Sequence, residues 1–547
     1  MKMKRRTHNS IIALFLLATS LASCDWETYD PNRFKKAQEQ QETPGNNQPN
    51  NQPGGQSGQE DKVTYTYYLE IGDIPLLPCA GGSGSFTVRS YKKDNKGNTI
   101  KVPWSIEPLD GSIPAWLNIQ TEAGDKQDDI VHIKAAGQVS SGGSSVKDYD
   151  LSTNGGSSKR TTANCYIVSC PGSYKVPLVY GNGITNGSTN AKAFNPEGTN
   201  SEKFLKPFLN HDNKGITDPW LKNNGAAPDG VTLVWEDSKG QVTDIALDAD
   251  FLTFSVPQDA VEGNAVIAAT QKGVIVWSWH IWLTSEDLGQ TATAKTSKGT
   301  YDIAAMNLGH ATDGKSLQNS VMARQCFLVI RQTEAGGQQT EKTVRQAGSS
   351  SASSTTGNIF CTFYQWGRKD ALPPANDALT PRTCYTGEGN VLSVNAGPCF
   401  NIGWTIKNPA KFLVNESNRG PYGPLGTAQQ NVWSPDYKTV YDPCPPGYRI
   451  SPNAVLNAIA GSGTHAANKD NSGQTWSNGQ ESVFLPKSGF LDKQDGQPWY
   501  VRQQGWYWSA ESSSDSHASC LEIGKSAFLS ASSPKATGYA VRPIIDK

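Results

Sequence analysis

Three stretches of this chain hold residues whose types and spacing could do chemistry. Trp499, Tyr500, Trp506, Tyr507 and Trp508 crowd together near the C-terminus. An aromatic ring can stack on the apolar C–H face of a sugar. Trp499, flanked by Gly496 and Pro498, sits in turn-forming sequence and is the candidate ligand-binding residue, whereas Tyr507 and Trp508 are expected to build the core. A second run, Trp277-Ser278-Trp279-His280-Ile281-Trp282, would place Trp277, Trp279 and Ile281 on one face of a strand and Ser278, His280 and Trp282 on the other. Neither face is polar, so a sandwiched core strand is expected, with His280 a hydrogen-bonded core histidine rather than a catalyst. The third stretch, Asp442-Pro443-Cys444-Pro445-Pro446-Gly447, reads as a rigid clamp: three prolines fix φ and Gly447 permits the turn. Cys444 has no His or Lys close by in sequence to lower its pKa.

Catalytic signatures are missing. There is no H-E-x-x-H, G-x-S-x-G, P-loop or dinucleotide fingerprint, and the carboxylates are scattered. The chain is therefore expected not to be an enzyme, with no catalytic residues and no cofactor. Ten cysteines lie far apart, without C-x-x-C or paired Cys/His spacing, so no metal site is expected. Removing Cys24 leaves nine, an odd number that precludes complete pairing. They suit small buried apolar residues better than a disulfide framework. Net charge is −1 with no basic run beyond the N-terminus, which argues against nucleic acid as a partner.

The elements that must position these residues begin with an export signal. Lys2, Lys4, Arg5 and Arg6 precede a short apolar run from Ile11 to Ala18, too short to span a bilayer. Leu21-Ala22-Ser23-Cys24 follows and resembles the lipobox of bacterial lipoproteins. The resemblance implies that residues 1–24 are a lipoprotein signal peptide, that Cys24 is the lipidation site, and that the lipid anchor makes the membrane a partner. Asp25-Trp26-Glu27-Thr28-Tyr29-Asp30 resembles the acidic export tags of Bacteroides-group surface lipoproteins, which implies an outer-membrane, cell-surface location.

Residues 25–62 read as a disordered tether, because Gln38 to Gln59 is nearly all polar residues, Pro and Gly. At 36% apolar and 18% charged residues, with 15 tryptophans, the rest reads as a turn-rich β protein with an aromatic core. A first β domain is expected over 63–150, with strands from Ser85 to Tyr91 and from Thr99 to Ile106 around a turn at 94–98. Its Ile113-Pro114-Ala115-Trp116-Leu117-Asn118-Ile119 resembles the tryptophan motif of BACON-type immunoglobulin-like domains. A Ser/Gly-rich stretch (140–158) separates it from a second β domain over 160–335, whose strand pattern resembles modules of fimbrillin-type surface lipoproteins. A polar linker is expected at 333–357. Beyond it, Phe363-Tyr364-Gln365-Trp366-Gly367, the Asp442–Tyr448 clamp, Tyr507-Trp508-Ser509 and Val541-Arg542-Pro543 follow in order. Together they resemble the Fibrobacter succinogenes major paralogous (FISUMP) domain, similar in pattern to C-type-lectin-like folds. Pro543 stands where many relatives carry cysteine. The expected fold class is mainly β: two β-sandwich-like domains and an α+β C-type-lectin-like domain over 359–547.

These readings point to a surface-anchored lipoprotein, fimbrial or pilus-associated or adhesin-like, with the C-terminal domain as interaction head. Its partners would be pilin subunits, a host protein or a glycan. A glycan-binding accessory lipoprotein of a polysaccharide-uptake system is the alternative. An enzyme of the formylglycine-generating type would need a reactive cysteine pair and is disfavoured, because the cysteines lack a local activating context.

Overall fold

Apolar residues alternate along Gly82–Asp94, which turns Phe86 and Val88 inward and Thr87 and Arg89 outward. This strand sits between Tyr65–Ile71 and Asp128–Ala135, and Leu117–Glu122 completes the row. The expected single strand from Thr99 to Ile106 is two strands. Thr99–Lys101 stays beside Gly82–Asp94, and after Val102-Pro103 the chain crosses to the facing sheet as Trp104–Pro108. Pro103 carries no N–H to donate, so it suits the crossing better than the middle of a ladder.

The computed structural model describes residues 63–547 except 110–111, 123–127, 139–145, 154–158, 198–202, 290, 319, 349–357, 377–381, 393–395, 399–400, 415–430, 469–471, 525–526 and 547. Cys24, the tether and Cys399 lie outside the described residues. Strands dominate, and the longest helix described is Asn453–Gly461.

Strand pairing runs across both boundaries expected between the three folded domains. Trp104–Pro108 pairs with Arg324–Gln332, which pairs in turn with Gln339–Gln346. These late strands supply Leu328, Ile330 and Val344 to the same core as Phe86, Val88, Val131 and Ile133. The first sandwich therefore takes one face from residues more than 200 positions downstream, as the separation of Ile106 and Ile330 in the register requires. The stretch 333–357, expected as a linker, contains one of its strands. Gln339-Thr-Glu-Lys-Thr-Val-Arg-Gln346 is polar, yet Gln346 is buried and its amide donates to the carbonyls of Pro78 and Ala136 at 2.9 and 3.0 Å. Paired in this way, a buried glutamine does not carry the desolvation cost of an orphan amide.

The middle region builds two four-stranded sheets. One orders Gly230–Glu236, Gly263–Gln271, Val274–Leu283 and Cys165–Val168; the other orders Thr243–Asp248, Phe251–Val256, Gly172–Pro177 and Val146–Asp150. Val146–Asp150 lies within the stretch expected to separate domains. The tryptophan strand Val274–Leu283 is flanked on both edges and buried from Val276 onward, as expected of a core strand. Trp277, Trp279 and Trp282 share one hydrophobic cluster with Trp366, Trp433, Tyr441 and Trp508 from the C-terminal region. A further sheet orders Thr291–Thr296, Gly299–Ala304, Pro543–Ile545 and Tyr448–Ile450 and so draws both regions together. Residues 63–547 form one unit.

Candidate functional site

The sheet that carries the C-terminal aromatics orders Tyr364–Gln365, Gly538–Tyr539, Phe490–Leu491 and Pro498–Trp499. Phe490–Leu491 and Pro498–Trp499 form a short hairpin, closed by Asp492 N–H donating to Gln497 O at 2.8 Å. The chain then turns sharply, and Tyr500 and Arg502 adopt φ of 56° and 60°. Such values are uncommon for bulky residues and mark local strain. Gly489 faces this turn with a φ of 74°, in the left-handed region that favours glycine, and a Cβ there would lie 2.3 Å from the Trp499 carbonyl.

The turn holds Trp499 and Tyr500 at the surface, 51% and 42% exposed. Their ring centroids are 6.4 Å apart with planes tilted by 37°. Tyr500 stacks on Phe490 at 6.0 Å and meets Trp506 edge-on at 5.8 Å. Trp506 stacks on Tyr539 at 6.1 Å, and Tyr539 contacts the buried Trp508 at 4.4 Å. Trp508 is fixed by its indole N–H, which donates to Tyr364 O at 2.7 Å. A continuous aromatic ladder thus runs from solvent to core. Asp492, Asp495 and Arg502 lie in the same turns, so an apolar ring pair sits among polar groups, the composition of a surface that stacks on a sugar ring or packs into a partner protein.

The other chemistry-bearing residues are built into the interior. His280 Nε2 meets Asn264 Oδ1 at 2.9 Å, and His280 Nδ1 meets the Tyr364 hydroxyl at 3.1 Å. Asn264 in turn donates through Nδ2 to Asp237 and to Gly309 O, each at 3.0 Å. An amide oxygen only accepts, so this arrangement puts the imidazole proton on Nε2 and makes Tyr364 the donor to Nδ1. Burial pushes His280 down to about 3, so it stays neutral. It is a paired core histidine, as its place in the tryptophan strand implied.

The proline loop is clamped as expected. Lys438 Nζ donates to the carbonyls of Cys444, Pro445 and Tyr448, and Asp442 accepts from Cys444 N–H at 2.8 Å and Ile450 N–H at 3.1 Å. Burial, reinforced by Asp442, pushes the Cys444 thiol well up. The eight cysteines described are all free thiols, seven of them buried.

No protein family and no curated protein matches this sequence. Six solved chains do. One is the crystal structure of the N-terminal eight immunoglobulin domains of Down syndrome cell adhesion molecule, isoform 1.30.30, with 8% identity and a TM-score of 0.11. The match covers 51% of this chain and 42% of that one. A likeness at this level carries no argument about fold or activity.

Two features escaped the sequence reading. Tyr500 joins Trp499 at the surface, although nothing in Pro498-Trp499-Tyr500 separates the two rings from Trp506 by type; the turn geometry decides it. Lys369 and Asp370 form a buried cluster with Ser278, in which Lys369 Nζ lies 2.7 Å from Ser278 Oγ and that hydroxyl lies 2.6 Å from Asp370 Oδ1. Lys369 also sits 4.3 Å from the centre of the Trp277 ring. The types would suit an activated serine, but Ser278, Lys369 and Asp370 are 1%, 3% and 4% exposed, so no dissolved substrate reaches them. The cluster ties the tryptophan strand to the C-terminal region.

Proposed function

We propose that this protein is a lipid-anchored surface lipoprotein of the adhesin-like, fimbrial or pilus-associated type. Cys24 holds it to the outer membrane, and the C-terminal region, a lectin-like head, presents Trp499 and Tyr500 to a host protein or glycan. It acts by binding, without catalysis. The observation that carries this reading is the exposed ring pair on a strained turn. Large aromatic side chains are mostly withdrawn from water, and local strain persists only where the surroundings impose it. The ladder through Phe490, Trp506 and Tyr539 supplies that support and leaves the rings pre-positioned. A pre-ordered ring loses little conformational entropy on binding.

The same pair favours a second reading, a glycan-binding accessory lipoprotein for polysaccharide uptake, because two tilted rings can follow a bent saccharide chain. Arrays of host matrix proteins, host glycans and plant or bacterial polysaccharides separate the two. The full chain should bind one class, and Trp499→Ala should weaken binding by roughly tenfold, the equivalent of one stacking ring. Binding that is indifferent to Trp499→Ala and Tyr500→Ala together would remove this surface from consideration. Anchoring is tested separately: Cys24→Ala should move the protein from the detergent phase to the aqueous phase.

A further inference from the structure

Where the first sandwich, the middle sheets and the Pro445-Pro446 clamp meet, the chain forms a half-open pocket with about 130 Å³ of internal space. A closed cavity of roughly 150 Å³ holds only a benzene ring, so a bulkier pyranose would seat one side here and leave the other in the open mouth. Tyr166, Leu288, Met322 and Tyr448 give it apolar and aromatic walls, and Asp287 and Arg345 give it a polar edge.

That edge is built, and it is incomplete. Arg345 Nη2 donates to Asp287 Oδ1 at 3.2 Å, and Gly289 N–H donates to the same oxygen at 2.8 Å. A Cβ on Gly289 would lie 1.9 Å from Arg345 Nη1, so only glycine lets the guanidinium approach. The other carboxylate oxygen, Asp287 Oδ2, is buried and has no partner among the described residues, on a side chain only 9% exposed. A buried carboxylate oxygen without a donor is costly, and a ligand hydroxyl would relieve it. The charged groups lining the pocket are already engaged: Arg345 with Asp287, Glu286 with Lys315, and Arg324 with Gln346, the Ala136 carbonyl and the Trp116 ring. The edge therefore offers hydrogen-bonding groups rather than a free charge, which favours a neutral polar ligand.

We propose that this cavity binds one neutral sugar ring of hexose size. Vicinal hydroxyls both donate and accept. One donates to Asp287 Oδ2, and its neighbour accepts from the Arg345 guanidinium. Tyr166 and Tyr448 line the side that seats an apolar C–H face. Arg345 is about one-third exposed, so the polar edge reaches solvent and a longer glycan can continue outward. The site is independent of Trp499 and does not rest on the function proposed for that surface.

Titration of the full chain with methyl glycosides of glucose, galactose, mannose and N-acetylglucosamine, read by saturation-transfer NMR, tests this. At least one should bind at concentrations on the order of 10 mM. Asp287→Asn and Met322→Trp, the second filling the cavity without touching the ion pair, should each weaken binding by about tenfold or more. The dependence on Asp287 and Met322 should persist in a Trp499→Ala, Tyr500→Ala background, where the surface pair no longer contributes. Thermal unfolding of each variant shows whether the fold survives, and Arg345→Lys, which keeps the charge but loses the planar fork, replaces any variant that unfolds. No binding by any glycoside overturns the assignment. So does binding that the cavity variants do not change, or binding lost only in Trp499→Ala. Lysine methyl ester binding in place of the glycosides also overturns it, because the cavity would then select a cation.

Discussion

The tryptophan strand Val274–Leu283 and the turn Pro498–Arg502 are both aromatic-rich, yet they end in opposite environments. Trp277, Trp279 and Trp282 are wholly buried, while Trp499 and Tyr500 face water. The difference lies in what flanks each segment. Val274–Leu283 has a neighbouring strand on both edges and packed residues on both faces, so every ring it carries must go inside. Pro498–Trp499 is a two-residue strand at the edge of its sheet, followed by two residues with positive φ that swing the chain outward. Aromatic content therefore says how much apolar area a segment brings. The neighbours decide whether that area becomes core or surface.

The strongest way to break this comparison is to remove the neighbours. A fragment of 359–547 should fail to unfold cooperatively, because Trp366, Trp433 and Trp508 belong to the same cluster as Trp277 and Trp282. Near-UV circular dichroism would reveal fixed aromatic packing if the fragment folds after all, and the smaller clusters drawn mostly from that region, around Trp476 and around Phe412, would then suffice as its core. Within the intact chain, Trp279→Ala should cost about 3–5 kcal/mol in denaturant unfolding, as large buried rings do. A loss below about 1 kcal/mol would mean that the strand is not the core element its burial implies.

The histidine in that strand sharpens the contrast through pH. Burial holds His280 at about 3 and His310 at about 4, below the ordinary 6.5, and raises Asp237 from 3.8 to about 6. Between pH 6 and 4 the unfolded chain takes up two imidazole protons that the fold refuses, which lowers stability as pH falls. Over the same window the fold binds a proton at Asp237 that the unfolded chain does not yet hold, which raises it. From these three groups the balance is one proton, a contribution that lowers stability by roughly 1.4 kcal/mol per pH unit on acidification. His280→Phe, though less stable throughout, should flatten that slope; an unchanged slope would remove His280 from the titration.

The smallest effect belongs to the exposed pair. Trp499→Ala should change unfolding free energy by no more than about 0.5 kcal/mol, as surface substitutions usually do. A loss comparable with that of Trp279→Ala would mean that the ladder supports the fold rather than a binding surface.

Much of this was legible in the residues themselves. Mainly β character follows from short Val-, Ile- and Trp-rich runs between turn residues, and the burial of His280 follows from a strand with no polar face. The clamp at Asp442–Gly447 follows from its prolines, and the exposure of Trp499 from its Gly and Pro neighbours. These are properties of local sequence, where the side-chain period and the fixed φ of proline act over a few residues. The tertiary structure alone decided that Gln339–Gln346 is a strand of the first sandwich, that Tyr500 shares the surface with Trp499, and that Asp287 and Arg345 meet beside Tyr448. Each depends on pairing or packing between segments far apart along the chain, some of them more than 200 residues apart. Local propensity carries no information about such partners, because what stabilises them is burial and hydrogen bonding that exist only once the distant segment is in place.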